Sequence, residues 1–233
     1  PDFDTPQHIK DAANKALNDG HTKYTAVAGN LDLREAICAK LKRENDLDYK
    51  PNQIVVSNGA KQDIASLCMA MINPGDEVII LSPYWVSYSD IVKMCEGEPI
   101  LLSASVDEDF KVPASRIKNA ITSKTKLLMF SSPCNPSGSV FSKEELKEIV
   151  DIVAPHPGLY IMSDEIYEHI NFTGKHVSIA SFPEVKDRTI VINGFSKAFA
   201  MTGWRLGYMA APLFIAEAVT KIQGQVTSGA NSI

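Results

Sequence analysis

The residues through which this chain could do chemistry each follow an apolar run. Lys197 comes just after Thr189-Ile190-Val191-Ile192-Asn193, in the stretch Gly194-Phe195-Ser196-Lys197. An ammonium is costly to bury. A lysine at the end of a buried strand therefore reads as a nucleophile or base, often working through a Schiff base with a carbonyl. Arg205 follows eight residues later, in a segment, Trp204–Ala210, that reads as a strand. Its planar fork suits an anion. An amine beside an anion site fits a ligand that carries both an aldehyde and a phosphate. Taken alone, the run leaves some weight on a surface lysine next to a hydrophobic turn.

Four further clusters share that position. Ser57-Asn58-Gly59-Ala60-Lys61-Gln62 follows one apolar run and opens a helix. Gly59 permits a tight turn, and the free amides of Ala60 and Lys61 would point at an anion on the helix axis. A plain strand-to-helix turn has the same signature. Ser82-Pro83-Tyr84-Trp85-Val86 offers an indole face on which a flat ring can stack, although tryptophan is more often a core or interface residue. Ser132-Pro133-Cys134-Asn135-Pro136-Ser137-Gly138 is foremost a turn signal. Ser163-Asp164-Glu165-Ile166-Tyr167 sets a carboxylate at a strand end, where it is costly unless a cation pairs with it. A helix-capping aspartate with a core tyrosine is the ordinary alternative.

The elements that must position these residues alternate. Strand-like runs are Ile54–Ser57, Glu77–Ser82, Pro99–Ser103, Lys126–Ser131, Leu159–Asp164 and Thr189–Asn193, with Trp204–Ala210 as a further candidate. Several are continuously apolar, which suits a sheet covered on both faces. Leu31–Glu44, Lys61–Ile72, Val86–Met94, Ser142–Val153 and Leu213–Gly224 read as helices, and Ser142 with Glu145 forms a capping box. Asn73-Pro74-Gly75-Asp76 is a strong turn. The rhythm predicts an α/β fold with a mostly parallel central sheet flanked by helices. Ligands of such sheets bind at the carboxyl ends of the strands, where the clusters fall.

Composition narrows the class. The chain has 233 residues, 45% hydrophobic and 22% charged, with a formal net charge of −5. Those are globular values, and neither sign forms blocks, so no nucleic-acid or membrane-surface partner is expected. No apolar run is long enough for a transmembrane helix and no signal peptide is visible; with the cysteines below, the cytoplasm is the default compartment. The four cysteines, Cys38, Cys68, Cys95 and Cys134, are widely spaced, so no metal site is expected. Cys38 and Cys68 read as small core residues.

Together the clusters, from Tyr24 in Lys23-Tyr24-Thr25-Ala26-Val27-Ala28-Gly29 to Ser196-Lys197-Ala198-Phe199-Ala200-Met201-Thr202-Gly203-Trp204-Arg205, resemble the fold-type I pyridoxal-phosphate enzymes of the class I aspartate aminotransferase family, aspartate-type subgroup. The resemblance covers essentially the whole chain, with the landmarks in family order. It implies pyridoxal 5′-phosphate as cofactor. Lys197 would form the Schiff base and then shuttle a proton as general base and acid. Asp164 would keep the ring nitrogen protonated, Tyr167 and Asn135 would meet the phenolic oxygen, and Trp85 would stack on the ring. Gly59, Ala60, Lys61 and Arg205 would hold the phosphate. Ser196 is a weaker candidate, because the phosphate-binding serine of some relatives falls here on Gly194. The bond before Pro136 would be cis, and Glu165 would point elsewhere. Tyr24 would reach the phosphate of a neighbouring subunit, making a homodimer with shared active sites.

On this reading, residues 1–20 form an N-terminal segment or helix and 21–233 the cofactor-binding large domain. The chain also reads as a fragment: a closing segment would precede Pro1, and a small domain with the arginine for the substrate carboxylate would follow Ile233. The expected reaction moves an amino group from an amino acid, such as aspartate, to a 2-oxo acid, such as 2-oxoglutarate. Two alternatives stay open: another reaction on the same scaffold, such as β-elimination by a C–S lyase or a cyclising synthesis, and a non-catalytic effector domain of a regulator.

Overall fold

A computed structural model describes residues 3–233. Helices α1 (Gln7–Asn18) and α2 (Leu31–Asn45) lead into β1 (Ile54–Ser57) and α3 (Ala60–Met71). Then come β2 (Glu77–Ser82), α4 (Ser87–Met94), β3 (Glu98–Ser103) and α5 (Ala114–Ala120). β4 (Thr125–Ser131), α6 (Lys143–Val153), β5 (Tyr160–Asp164) and the short α7 (Pro183–Lys186) follow, and β6 (Thr189–Gly194), β7 (Gly207–Ala210) and α8 (Leu213–Val226) complete the order.

One seven-stranded sheet results, in the order β1-β7-β6-β5-β4-β2-β3. β7 lies antiparallel between β1 and β6, and the remaining pairs are parallel. All six other strands therefore end on one edge of the sheet, and β7 begins there.

Side chains alternate across the sheet, so β4 divides its residues between two cores. Leu127 and Met129 join Val78, Ile80 and Met162 beneath α3, α4 and α8. Leu128 and Phe130 join Ile79, Leu81 and Ile161 beneath α5, α6 and α7. On that second face α2 sets Ile37 and Leu41 against Ile54, Val56, Val191 and Ala210. Each such side chain contributes about 1.5–3 kcal/mol on burial. The capping box of α6 forms as expected, with the Glu145 amide donating to Ser142 and the Glu145 carboxylate accepting from the Ser142 amide.

Two expectations need correction. The segment Trp204–Ala210 is a strand only from Gly207; Thr202–Trp204 make a 3-10 turn, and Arg205 sits in left-handed backbone with φ 54°. The strand starts where the chain passes close to α3: a Cβ on Gly207 would stand 2.3 Å from the Ala60 nitrogen. Cys68 is fully buried, but Cys38 is only half-buried at the margin of the core under α2. Among the described residues, no helix is long and apolar enough to cross a membrane.

Candidate active site

The shared strand edge brings the clusters to one pocket of about 380 Å³. Ala60 and Lys61 reach it from the start of α3, Trp85 and Tyr88 from the turn into α4, and Asn135 from the loop after β4. Asp164 and Tyr167 come from the end of β5, Ser196 and Lys197 from the loop after β6, and Arg205 from the loop before β7. Gly59 caps α3 with φ 94°. Tyr24 stands apart: it is 96% exposed and borders a second hollow with Asn58, Thr227 and Gly229.

One part of the pocket gathers donors that suit an anion. The first amides of α3 have no acceptor within the helix. Arg205 donates from Nη1 to the Thr202 carbonyl at 3.0 Å and from Nη2 to the Asn58 carbonyl at 3.1 Å. A Cβ on Gly59 would lie 2.3 Å from Arg205 Nη2. Only glycine lets the guanidinium lie against the helix start, and φ 94° suits glycine as well. Left-handed backbone at Arg205 is uncommon for a non-glycine residue, and such positions concentrate where function requires them.

The same pocket carries a buried carboxylate, Asp164. Tyr88 Oη donates to Asp164 Oδ2 at 2.5 Å, and the Ile166 amide donates to Oδ1 at 3.2 Å. Burial pushes the Asp164 pKa up, the Tyr88 and Ile166 hydrogen bonds and the charge of Lys197 pull it back, and it stands at about 6. A carboxylate so placed is completed by a cation. Trp85 meets Tyr88 edge-on at 5.7 Å between centroids, and the Lys61 ammonium stands 4.7 Å over the indole.

Lys197 Nζ lies 5.8 Å from the centroid of the Tyr167 ring, and Asn135 Nδ2 donates to Tyr167 Oη at 3.3 Å. Burial raises the Tyr167 pKa. The bonds before Pro83, Pro133 and Pro136 are cis. Glu165 turns away, accepting from Ser163 at 2.9 Å and Ser178 at 2.7 Å and facing His176 at 3.0 Å. Glu168 also turns away, pairing with Lys40 of α2 and accepting from Asn45 at 2.9 Å and Asn193 at 2.8 Å.

Sequence reasoning missed Tyr88 and Thr5. Tyr88 lies one helical turn beyond Trp85, and a tyrosine that deep needs a hydroxyl partner; that was the available signal. Thr5 donates to the Ala200 carbonyl at 2.7 Å and accepts from Trp204 Nε1 at 3.0 Å. It thereby straps the N-terminal segment to the loop of Lys197 and Arg205, and nothing in the local sequence announces it.

An α/β domain that offers an amine, a buried carboxylate and an anion fork around one pocket is the architecture of a fold-type I pyridoxal-phosphate enzyme. The chain belongs to the aminotransferase class I and II family, which matches residues 1–233. It is 52% identical over 234 residues to the bifunctional aspartate aminotransferase and glutamate/aspartate-prephenate aminotransferase of Petunia hybrida, covering 100% of this chain and 49% of that protein. It is 50% identical to the aspartate/prephenate aminotransferase of Nitrosomonas europaea, covering 100% of this chain and 59% of that one. Among solved structures, the aspartate aminotransferase of Rhizobium meliloti superposes with a TM-score of 0.98 at 44% identity, over 100% of this chain and 58% of its own. The aromatic aminotransferase of Pyrococcus horikoshii does so with 0.96 at 44%, over 99% and 62%. The chain thus spans about half to three-fifths of the length of these relatives. The family depends on pyridoxal 5′-phosphate, and the pocket fits that group: the cleared space at Gly59 and the fork of Arg205 suit the phosphate, and the Asp164 carboxyl suits a protonated ring nitrogen.

Proposed function

We propose that residues 21–233 are the cofactor-binding large domain of a pyridoxal-phosphate-dependent aminotransferase, with 1–20 as an N-terminal segment. The amino group would pass from an amino acid, aspartate being the leading donor, to a 2-oxo acid such as 2-oxoglutarate. The observation that carries this reading is the convergence of Lys197, Asp164 and Arg205 on one pocket.

When bound, the cofactor supplies an aldehyde that captures an amine and a ring that takes up electrons as the Cα proton leaves. The chain's own residues do the rest. Lys197 Nζ would hold the aldehyde carbon and, as the free amine, would serve as base and acid for the substrate Cα proton. Asp164, as the carboxylate, would keep a proton on the ring nitrogen. Trp85 would stack on the ring, while Tyr167 and Asn135 would meet its phenolic oxygen. The amides of Ala60 and Lys61, with Gly59 clearing the space, bind the phosphate beside Arg205, and Ser196 borders the same pocket.

We further propose that Tyr24, exposed on its own subunit, completes the site of a partner in a homodimer. Four free cysteines suit a reducing compartment, and we assign the protein to the cytoplasm.

Borohydride reduction of the full-length holoprotein, followed by peptide mass spectrometry, tests the site. The expected result is one modified peptide carrying the label on Lys197; a label on another lysine removes the assignment. Stoichiometric conversion of the cofactor to its amine form by aspartate separates transamination from elimination and from an effector role.

A further inference from the structure

Asp63 is a buried acid that the proposed mechanism does not use. It sits in the first turn of α3, behind the amides of Ala60 and Lys61, and is 0% exposed. Ser57 Oγ lies 2.5 Å from Asp63 Oδ2 and 3.1 Å from the Gly59 carbonyl oxygen. A hydroxyl has one proton to donate, whereas a carbonyl and an ionised carboxylate only accept. With Asp63 ionised, Ser57 could satisfy one of the two, and the other contact would set lone pair against lone pair. With Asp63 protonated, its O–H donates to Ser57 Oγ and the Ser57 O–H donates to Gly59, so both contacts close.

The surroundings agree. Among the described residues, Asp63 Oδ1 has no hydrogen-bond partner and no cation pairs with the carboxyl. Asp164 of β5 acts on it as a like charge. Tyr88 of α4 directs its hydroxyl to Asp164. Asp90 and Lys93 of α4, Glu217 and Lys221 of α8 and Lys61 of α3 itself are exposed, and Tyr208 of β7 packs in the core under α2. Burial drives the Asp63 pKa well above the usual carboxylate range, and the Ser57 hydrogen bond offsets only part of that.

We propose that Asp63 is a neutral carboxylic acid in the folded protein at neutral pH, and that the directed chain from Asp63 O–H to Ser57 O–H to the Gly59 carbonyl fixes the turn that presents the phosphate-binding amides. Asp63 is then a positioning residue, and that role rests on the phosphate seat proposed above. Neutrality has a use there, because a carboxylate behind the seat would oppose a phosphate dianion.

Asp63→Asn keeps the shape and a donor toward Ser57 but cannot titrate. A carboxyl whose native pKa is raised stabilises the fold fully below its unfolded value, about 3.9, and loses that contribution as pH rises toward the native value. Relative to Asp63→Asn, the wild-type folding constant should fall about tenfold per pH unit across that window. Denaturant unfolding of the full-length protein without cofactor, at a series of pH values from mildly acidic to neutral, reads this directly. A stability gap that does not change with pH overturns the neutral acid.

The positioning role is read by titration with pyridoxal 5′-phosphate. Ser57→Ala and Asp63→Ala should each weaken binding several-fold, as loss of one hydrogen bond implies, and Asp63→Asn should leave it unchanged. Equal affinity in all three variants overturns the role, and Ser57→Ala decides it if Asp63→Ala does not fold. A wild-type protein that binds no pyridoxal 5′-phosphate overturns the seat and the positioning role together, while the unfolding data still decide the protonation of Asp63.

Discussion

Replacing Tyr88 by Phe removes one hydroxyl and leaves the ring that packs edge-on against Trp85. That hydroxyl donates to Asp164 Oδ2 at 2.5 Å, leaving the variant carboxyl only the Ile166 amide at 3.2 Å. A hydrogen bond to a charged group is worth about 1.5–3 kcal/mol, and each pKa unit corresponds to about 1.36 kcal/mol. Asp164, at about 6 in the wild type, should therefore rise by about one to two units. The sign follows from the charge: the bond favours the carboxylate, so its loss favours the acid. In the role proposed for Asp164 the carboxylate pairs with a protonated ring nitrogen, so binding should fail on the acid side of this pKa. Titrating full-length apoprotein with pyridoxal 5′-phosphate across pH should show the acid limb moving upward by that amount in Tyr88→Phe, with alkaline affinity nearly unchanged. An acid limb that stays at its wild-type position would refute the coupling of Tyr88 to Asp164.

Gly59→Ala should weaken phosphate and cofactor binding about 5- to 150-fold, the equivalent of 1–3 kcal/mol of local strain. Its Cβ would meet Arg205 Nη2 at 2.3 Å, with φ held at 94°; fluorescence titration with pyridoxal 5′-phosphate is the measurement, and wild-type affinity would contradict the crowding argument. Glu168→Gln should cost about 1.5–3 kcal/mol at neutral pH, because it removes the charge-assisted bond with Lys40 while Lys40 keeps Glu44 at 3.5 Å. Burial alone would raise the Glu168 pKa, but Lys40, Asn45 and Asn193 outweigh it and hold the value low. That contribution is present above the unfolded carboxylate value and lost as pH falls through the native one, so urea unfolding should show the two proteins converging in acid.

Much of this was legible in the sequence, because the signals were local. Continuous apolar runs such as Val78–Leu81 and Leu127–Phe130 become strands covered on both faces, and the residues just after them meet at one edge. What escaped depended on contacts between distant segments. Arg205 leaves the strand path in left-handed backbone, with its guanidinium bonded to the Asn58 carbonyl from far along the chain, and the strand begins only at Gly207. Thr5 acquires its role from Ala200 and Trp204. Asp63 looks like an ordinary acidic residue in the first turn of a helix until its burial and its single donor are seen.

The reversed strand β7 also constrains the order of assembly. Within the sheet, β1 has β7 as its one neighbour, and Ile54 pairs with Ala210 from far along the chain. During synthesis, β1 and the start of α3 emerge early but stay unpaired until β7 enters between β1 and β6. Contacts of such sequence separation carry the larger loop-closure entropy and slow folding. The strands from β2 to β6 can zip together beforehand as neighbours in a parallel block. The anion seat would then be among the last parts to organise, and a ligand phosphate that bridges α3 and Arg205 would act as a clasp on the final closure.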